Sequence, residues 1–180
     1  MKIIINIKAW NRPKMLGTTL TKLSKCYNIE NYDVMIVIDG PNNPSKRVKF
    51  ENVISQSLIR ENSKNTHVIY HTHNKGCAGN MKFCFNESFN KTNIDYMIHL
   101  EDDTTPARDF LLFMEWGYNH MKKNSNIFAV CPFIRKIHLS EDNIHKELEK
   151  DIDKIIYRNN FEPGGGFGMD RTQWETIKNA

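Results

Sequence analysis

The strongest constraint on this chain is a set of short apolar runs, each ending abruptly in a turn or a polar residue. Ile3–Ile7, Val34–Ile38 and Tyr96–Leu100 are the clearest. Such short, apolar runs fit strands buried on both faces. Between them lie longer segments with helical spacing, such as Met15, Leu16, Leu20 and Leu23 after Pro13. Strands alternating with helices predict an α/β layer with a mostly parallel sheet. The 180 residues suffice for one domain with a real core, so residues 1–180 are read as a single domain.

The remaining elements follow the same logic. Pro13 opens a predicted helix over 14–27, and Asn42–Ser45 is a turn before a helix over 48–59. His67–Tyr70 is a third strand, and Asn74–Gly79 turns into a helix ending near Phe89. The run from Tyr96 is then the fourth strand. Thr105 reads as the N-cap of a helix with Pro106 in its first turn. The aromatics of that helix, Phe110 to Trp116, read as core. Ile127–Phe133 is a predicted fifth strand, 138–154 a charged surface excursion, and Ile155–Tyr157 a short strand. Phe161–Gly168 is a predicted glycine-rich loop, and Asp170 an N-cap for a last helix over 171–178.

The fourth run carries the chemistry, because it ends in Glu101, Asp102 and Asp103. In open α/β sheets ligands bind beyond the carboxyl ends of strands. Three acids crowded there repel one another, and a divalent cation would offset them. Strand alternation puts Glu101 and Asp103 on one face and Asp102 on the other. Hard oxygen ligands suit Mg2+ or Mn2+, held by one or two carboxylates and substrate phosphates. A metal–diphosphate site and a solvated turn before the next helix both fit the three acids alone.

Other strand ends converge on the same rim. Asp39 ends the second strand, either to accept from a ribose or base or to form the turn before Gly40. Asn74-Lys75-Gly76-Cys77-Ala78-Gly79 offers glycines for close backbone approach and Lys75 for a phosphate, or makes an ordinary strand-to-helix turn. Gly164, Gly165, Gly166 and Gly168 would let a ligand or another backbone pass close, or form a flexible lid. His71 and His73 lack a third nitrogen or sulfur ligand and read as surface histidines. His99 reads as a structural hydrogen-bonding histidine.

Several function classes are disfavoured. The net charge is +4 and the basic residues are dispersed, so charge does not favour nucleic-acid binding. Neither G-x-G-x-x-G nor G-x-x-x-x-G-K-[ST] follows the first strand, where Ala9-Trp10-Asn11 stands. The four cysteines lack metal-site or redox spacing and read as reduced thiols. No signal peptide is evident and no run approaches the roughly 18 apolar residues of a membrane span. A cytoplasmic location is expected.

In combination these segments resemble nucleotide-sugar glycosyltransferases of the GT-A fold, similar to family 2 in the first half and to the N-acetylglucosaminyltransferase I type in the second. Four segments carry the resemblance: Ile3–Pro13, with its Asn11-Arg12-Pro13 loop; Asn74–Asn80; Ile98–Asp103 with Pro106 and Asp109-Phe110; and Tyr157–Gly168. It implies a Rossmann-like three-layer sandwich and sugar transfer from a nucleoside-diphosphate donor, expected to be UDP-linked, to a glycan, lipid or protein hydroxyl. It also implies site roles. Asp103 would ligate Mn2+ or Mg2+, while Glu101 and Asp102 would bind the nucleotide or metal-bound water. Asp39 would meet uracil or ribose. Trp10, Asn11 and Arg12 would flank base and phosphates, with Lys75 and Gly76 near the nucleotide. Gly164, Gly165 and Gly166 would face the sugar. The family's catalytic base has no match here, so an acceptor and base portion is expected beyond this chain. The alternative is a nucleotide-sugar-binding module without turnover.

Overall fold

The computed structural model describes residues 1–41, 43–90, 93–132 and 165–178. Five strands form one sheet in the order β3-β2-β1-β4-β5. They are β1 (Ile3–Ala9), β2 (Asp33–Ile38), β3 (Asn65–Tyr70), β4 (Tyr96–Glu101) and β5 (Gly166–Asp170). The first four run parallel, and β5 pairs antiparallel with β4. Beginning at β1, the chain builds outward through β2 and β3. It then returns to place β4 on the other side of β1. The order therefore reverses between β1 and β4, and such a switch point is where open α/β sheets hold ligands.

Helices cover both faces. On one lie α1 (Pro13–Leu23), α2 (Pro44–Gln56), the short α3 (Ile59–Asn62) and α5 (Phe110–Lys123). Leu16, Leu20, Phe50, Ile54, Leu111 and Met114 from these helices pack on Ile5, Ile7, Val34, Ile36 and Ile98. On the other face, α4 (Gly76–Asn90) and α6 (Arg171–Ile177) bring Cys84, Phe85, Phe89 and Trp174 against Ile4, Met35, Val37 and Met97. This is the expected three-layer arrangement. Among the described residues no helix is long and apolar enough to cross a membrane.

Helix starts follow local chemistry. Pro13 and Pro44 each occupy a first turn, where a missing N–H costs nothing. Asn43 caps α2 by accepting from the Lys46 N–H at 2.8 Å. Asp170 caps α6, accepting from the Gln173 N–H at 2.9 Å, as expected from the sequence.

Four readings need correction. The helix expected from Thr105-Pro106 begins at Phe110, with Asp109 at its N-cap position. Residues 104–109 are instead tied to the end of α1: the Tyr27 N–H donates to the Arg108 carbonyl at 2.9 Å and the Cys26 thiol to that of Ala107 at 3.2 Å. Of the strand expected over Ile127–Phe133, the described residues 127–132 form a single antiparallel bridge, Val130 to Gly168. The described end of the glycine-rich loop is strand, since Gly166 opens β5 opposite Leu100. Phe113 and Trp116, expected in the core, are 39% and 41% exposed and stack on each other at 5.7 Å. The excursion at 138–154, the strand at 155–157 and residues 161–164 lie outside the described residues.

Candidate donor-binding site at the carboxyl rim of the sheet

The three acids end up with two different partners, both cations supplied by the β1 end of the chain. Register decides which. Lys8 lies opposite Glu101 in the β1–β4 ladder, and its Nζ reaches Glu101 Oε1 at 3.2 Å. The same ammonium donates to the Cys77 thiol sulfur at 2.9 Å, in the first turn of α4. Burial works against the charge on Lys8, yet Cys77 and Glu101 outweigh it and raise its pKa above the usual lysine value.

Arg12 follows β1 and reaches the next two acids. Its Nε donates to Asp102 Oδ2 at 3.3 Å, its second terminal nitrogen to Asp102 Oδ1, and its first to Asp103 Oδ2 at 2.8 Å. The Trp10 N–H also donates to Asp102 Oδ2, at 3.3 Å. From α1, the Thr19 hydroxyl donates to the Asp102 carbonyl at 2.8 Å. Hydrogen bonding to Asp102 holds the Arg12 guanidinium above its usual pKa. Burial pushes the Asp102 carboxyl up, against the pull of Arg12 and the Trp10 N–H.

The expected sharing of a face by Glu101 and Asp103 needs correction: β4 ends at Glu101, which pairs with Lys8 beside α4, while Asp102 and Asp103 lie in the turn beyond it and both meet Arg12. Asp102, expected to bind the nucleotide or metal-bound water, is placed differently from Asp103. Its side chain is 2% exposed and both oxygens are engaged, whereas Asp103 is 42% exposed. A salt-bridged, dry carboxylate is a poor place for a ribose hydroxyl, and Asp103 is the most exposed of the three acids, ahead of Glu101 at 30%.

The other strand ends meet at the same rim. Asp39 is buried and bridges two loops: its Oδ1 accepts from the Gly40 N–H at 2.9 Å and the Lys75 N–H at 2.8 Å. The turn reading of Asp39 thus holds, and it also ties the β2 end to the β3–α4 turn. Gly76 starts α4 with a φ of 70°, a left-handed backbone that favours glycine. Lys75 and Gly76 are exposed, as are Trp10 and Asn11. The Thr104 hydroxyl donates to the Gly165 carbonyl, which joins the acid-bearing turn to the start of β5. Gly164 lies outside the described residues.

Behind the rim runs a buried polar chain. His99 Nδ1 pairs with Asn6 Oδ1, the Asn6 amide donates to the Ser88 hydroxyl at 2.9 Å, and that hydroxyl donates to the Cys84 carbonyl at 2.8 Å. Burial, with help from Lys8, lowers the His99 pKa to about 3. The structural reading of His99 holds. His71 corrects its reading as a surface residue, being buried at the end of β3 with its edge on Phe83. Cys26, Cys77, Cys84 and Cys131 form no disulfides among the described residues.

Lys8, Thr19, Cys77 and Thr104 were not singled out from the sequence. A lysine inside an apolar strand run was the available signal for Lys8. The other three depend on contacts 61 to 83 residues away, and 69 for Lys8–Cys77, which no local pattern carries.

Among the described residues no three His, Cys, Asp or Glu side chains gather to hold a metal ion. A cation that takes one carboxylate and the phosphates of its substrate needs no such group. Asp103 fits that role, being exposed and bound to Arg12 through one oxygen.

The sequence model described as "Glycosyl transferase family 2" matches residues 4–173. No curated protein matches the chain. Among solved structures, a mannosyltransferase from Pyrobaculum calidifontis, in complex with GDP-Man and Mn2+, superposes with a TM-score of 0.61 at 13% identity, covering 98% of this chain and 46% of that one. TarS 1-349 of S. aureus, in complex with UDP, gives a TM-score of 0.50 at 14% identity, covering 69% of this chain and 33% of that one. This chain thus spans less than half the length of either. At such identities the likeness is one of fold.

Proposed function

This chain belongs to glycosyl transferase family 2, and from that premise we propose that its carboxyl rim binds a nucleoside-diphosphate sugar with a divalent cation, for transfer of the sugar to a hydroxyl acceptor. One observation carries the reading. At the switch point between β1 and β4, the exposed Asp103 stands beside a buried Asp102 paired with the exposed Arg12, and beside a Lys8–Glu101 pair. The complexes of the structural relatives, one with GDP-Man and Mn2+ and one with UDP, support the ligand class.

Each residue then has a role set by its surroundings. Asp103 ligates Mn2+ or Mg2+. Bound there, the cation would neutralise charge on the departing nucleoside diphosphate. Asp102 acts through Arg12, which it orients, and does not touch the donor. Glu101, less exposed and paired with Lys8, serves the ribose side. Trp10 and Asn11 flank the base, and Asp39 holds the Lys75–Gly76 turn against it. Gly165 and Gly166, at the start of β5, line the sugar side. The donor is UDP-linked, following the family resemblance, with GDP as the competing nucleotide.

Thermal unfolding tests this with UDP and GDP, each with and without Mn2+. A nucleotide at 100 times its dissociation constant should add roughly 2.7 kcal/mol to the folded state. The stabilisation should need both nucleotide and Mn2+ and vanish in Asp103→Ala. A folded protein that gains nothing from either nucleotide would overturn the reading.

A further inference from the structure

The two acids that Arg12 joins are held in different ways. At Asp102 the guanidinium uses two nitrogens on a carboxylate that is 2% exposed, and the Trp10 N–H closes the same group. At Asp103 it makes one contact, at 2.8 Å, to a carboxylate that is 42% exposed. Exposed single ion pairs are weak, while a carboxylate out of water, as Asp102 is, is costly to leave without its partner. Guanidinium also carries five N–H donors in a rigid fork and stays charged. It can therefore keep its hold on Asp102 while releasing Asp103.

We propose that Arg12 is a positioning residue that occupies Asp103 while the donor site is empty and yields it to the cation that arrives with the diphosphate. The inference rests on the reading of this rim as the donor site. The released N–H donors then have a new acceptor, since guanidinium pairs well with phosphate oxygens. A cation arriving alone must displace Arg12 and leave those donors without an anion. A cation arriving with diphosphate replaces what it removes. Arg12 thereby couples cation to nucleotide, and the coupling is reciprocal.

Manganese binding, read from the electron paramagnetic resonance signal of free Mn2+, tests this with and without UDP or GDP. The proteins are wild type, Arg12→Gln, Arg12→Lys and Asp103→Asn. In wild type the nucleotide should tighten Mn2+ binding by on the order of tenfold or more. In Arg12→Gln, Mn2+ alone should bind severalfold tighter than in wild type, and most of the nucleotide's enhancement should disappear. Arg12→Lys keeps the charge without the fork and should fall between. Asp103→Asn should lose Mn2+ under all conditions. Equal Mn2+ affinity and equal enhancement in wild type and Arg12→Gln would overturn the proposal, as would weaker binding of Mn2+ alone in Arg12→Gln. A purely structural Arg12 would shift melting temperature without changing the enhancement. If Arg12→Gln fails to fold, Arg12→Lys carries the same comparison. If neither nucleotide binds wild type, the donor-site reading fails, and the comparison of Mn2+ alone still decides the role of Arg12.

Discussion

The two faces of the sheet use the same strands with different chemistry. Toward α1, α2 and α5, β1 and β4 present Ile3, Ile5, Ile7, Ala9, Tyr96, Ile98 and Leu100, all buried. Toward α4, the same two strands present Asn6, Lys8, His99 and Glu101 beside Ile4 and Met97. The first face is held by apolar packing up to the rim. The second becomes more polar toward the rim, from the Asn6–His99 pair to the Lys8–Glu101 pair. Burying polar groups costs free energy unless each finds a partner, and here α4 supplies Ser88 and Cys77. One face mainly stabilises the fold, and the other trades packing for charge placed at the site.

The apolar face should be the less forgiving, and Gly168 gives the largest expected effect. A Cβ there would sit 1.7 Å from the Tyr96 hydroxyl oxygen and 2.7 Å from Met114 Cε. Gly168→Ala should cost about 3 kcal/mol, at the upper end for overpacking. Chemical denaturation measures it, and Tyr96→Phe in the same chain should recover part of the loss. A cost below about 1 kcal/mol would mean that β5 shifts freely on β4.

The polar face should reveal itself through pH. His99 is neutral in the fold down to about pH 3, while an unfolded histidine protonates near pH 6.5. Between those values the unfolded chain binds the extra proton, so stability rises with pH and is lost as pH falls from about 6.5 toward 3. At pH 5 the loss from this one group should be roughly 2 kcal/mol relative to pH 8. Denaturation curves of wild type and His99→Gln isolate it: the difference between them should shrink as pH falls. A pH-independent difference would show that His99 is not the group titrating.

Lys8 should give the smallest stability effect and sharpen the division of labour. Glu101 is 30% exposed and can turn to water when its partner is removed. Lys8→Met should therefore cost no more than about 1 kcal/mol and should weaken nucleotide binding more than it weakens the fold. A loss above about 3 kcal/mol, by the same denaturation assay, would mean that Glu101 is held as a dry, unpaired charge.

Much of this architecture was legible in the chain. Apolar runs such as Val34–Ile38, and Ile3–Ile7 broken only by Asn6, are satisfied by burial on both faces, which requires helices above and below a mostly parallel sheet. Period-two alternation put Glu101 and Asp103 on one face, but it applies only within a strand; β4 ends at Glu101, and Arg12 gathers Asp102 and Asp103 together. Pro13 and Asp170 marked helix starts for reasons confined to one turn, whereas Pro44, read as part of a turn, opens α2. Thr105-Pro106 looked equally good as a start, yet residues 104–109 were claimed by bonds from Cys26 and Tyr27.

Tertiary structure decided what local chemistry leaves open. Strand order set the switch point between β1 and β4, and register then placed Lys8 beside Glu101. Crowded acids implied a neutralising charge, and within this chain Lys8 and Arg12 supply it, some 90 residues away in sequence. The assignment of Asp102 to the interior and Asp103 to solvent is equally nonlocal, because it depends on where α1 brings Thr19 and where Arg12 can reach. The amino-acid pattern determined that three carboxylates would end a buried strand. Only the packing of β1 and α1 against that end determined that Asp102 is buried and that Asp103 is the most exposed.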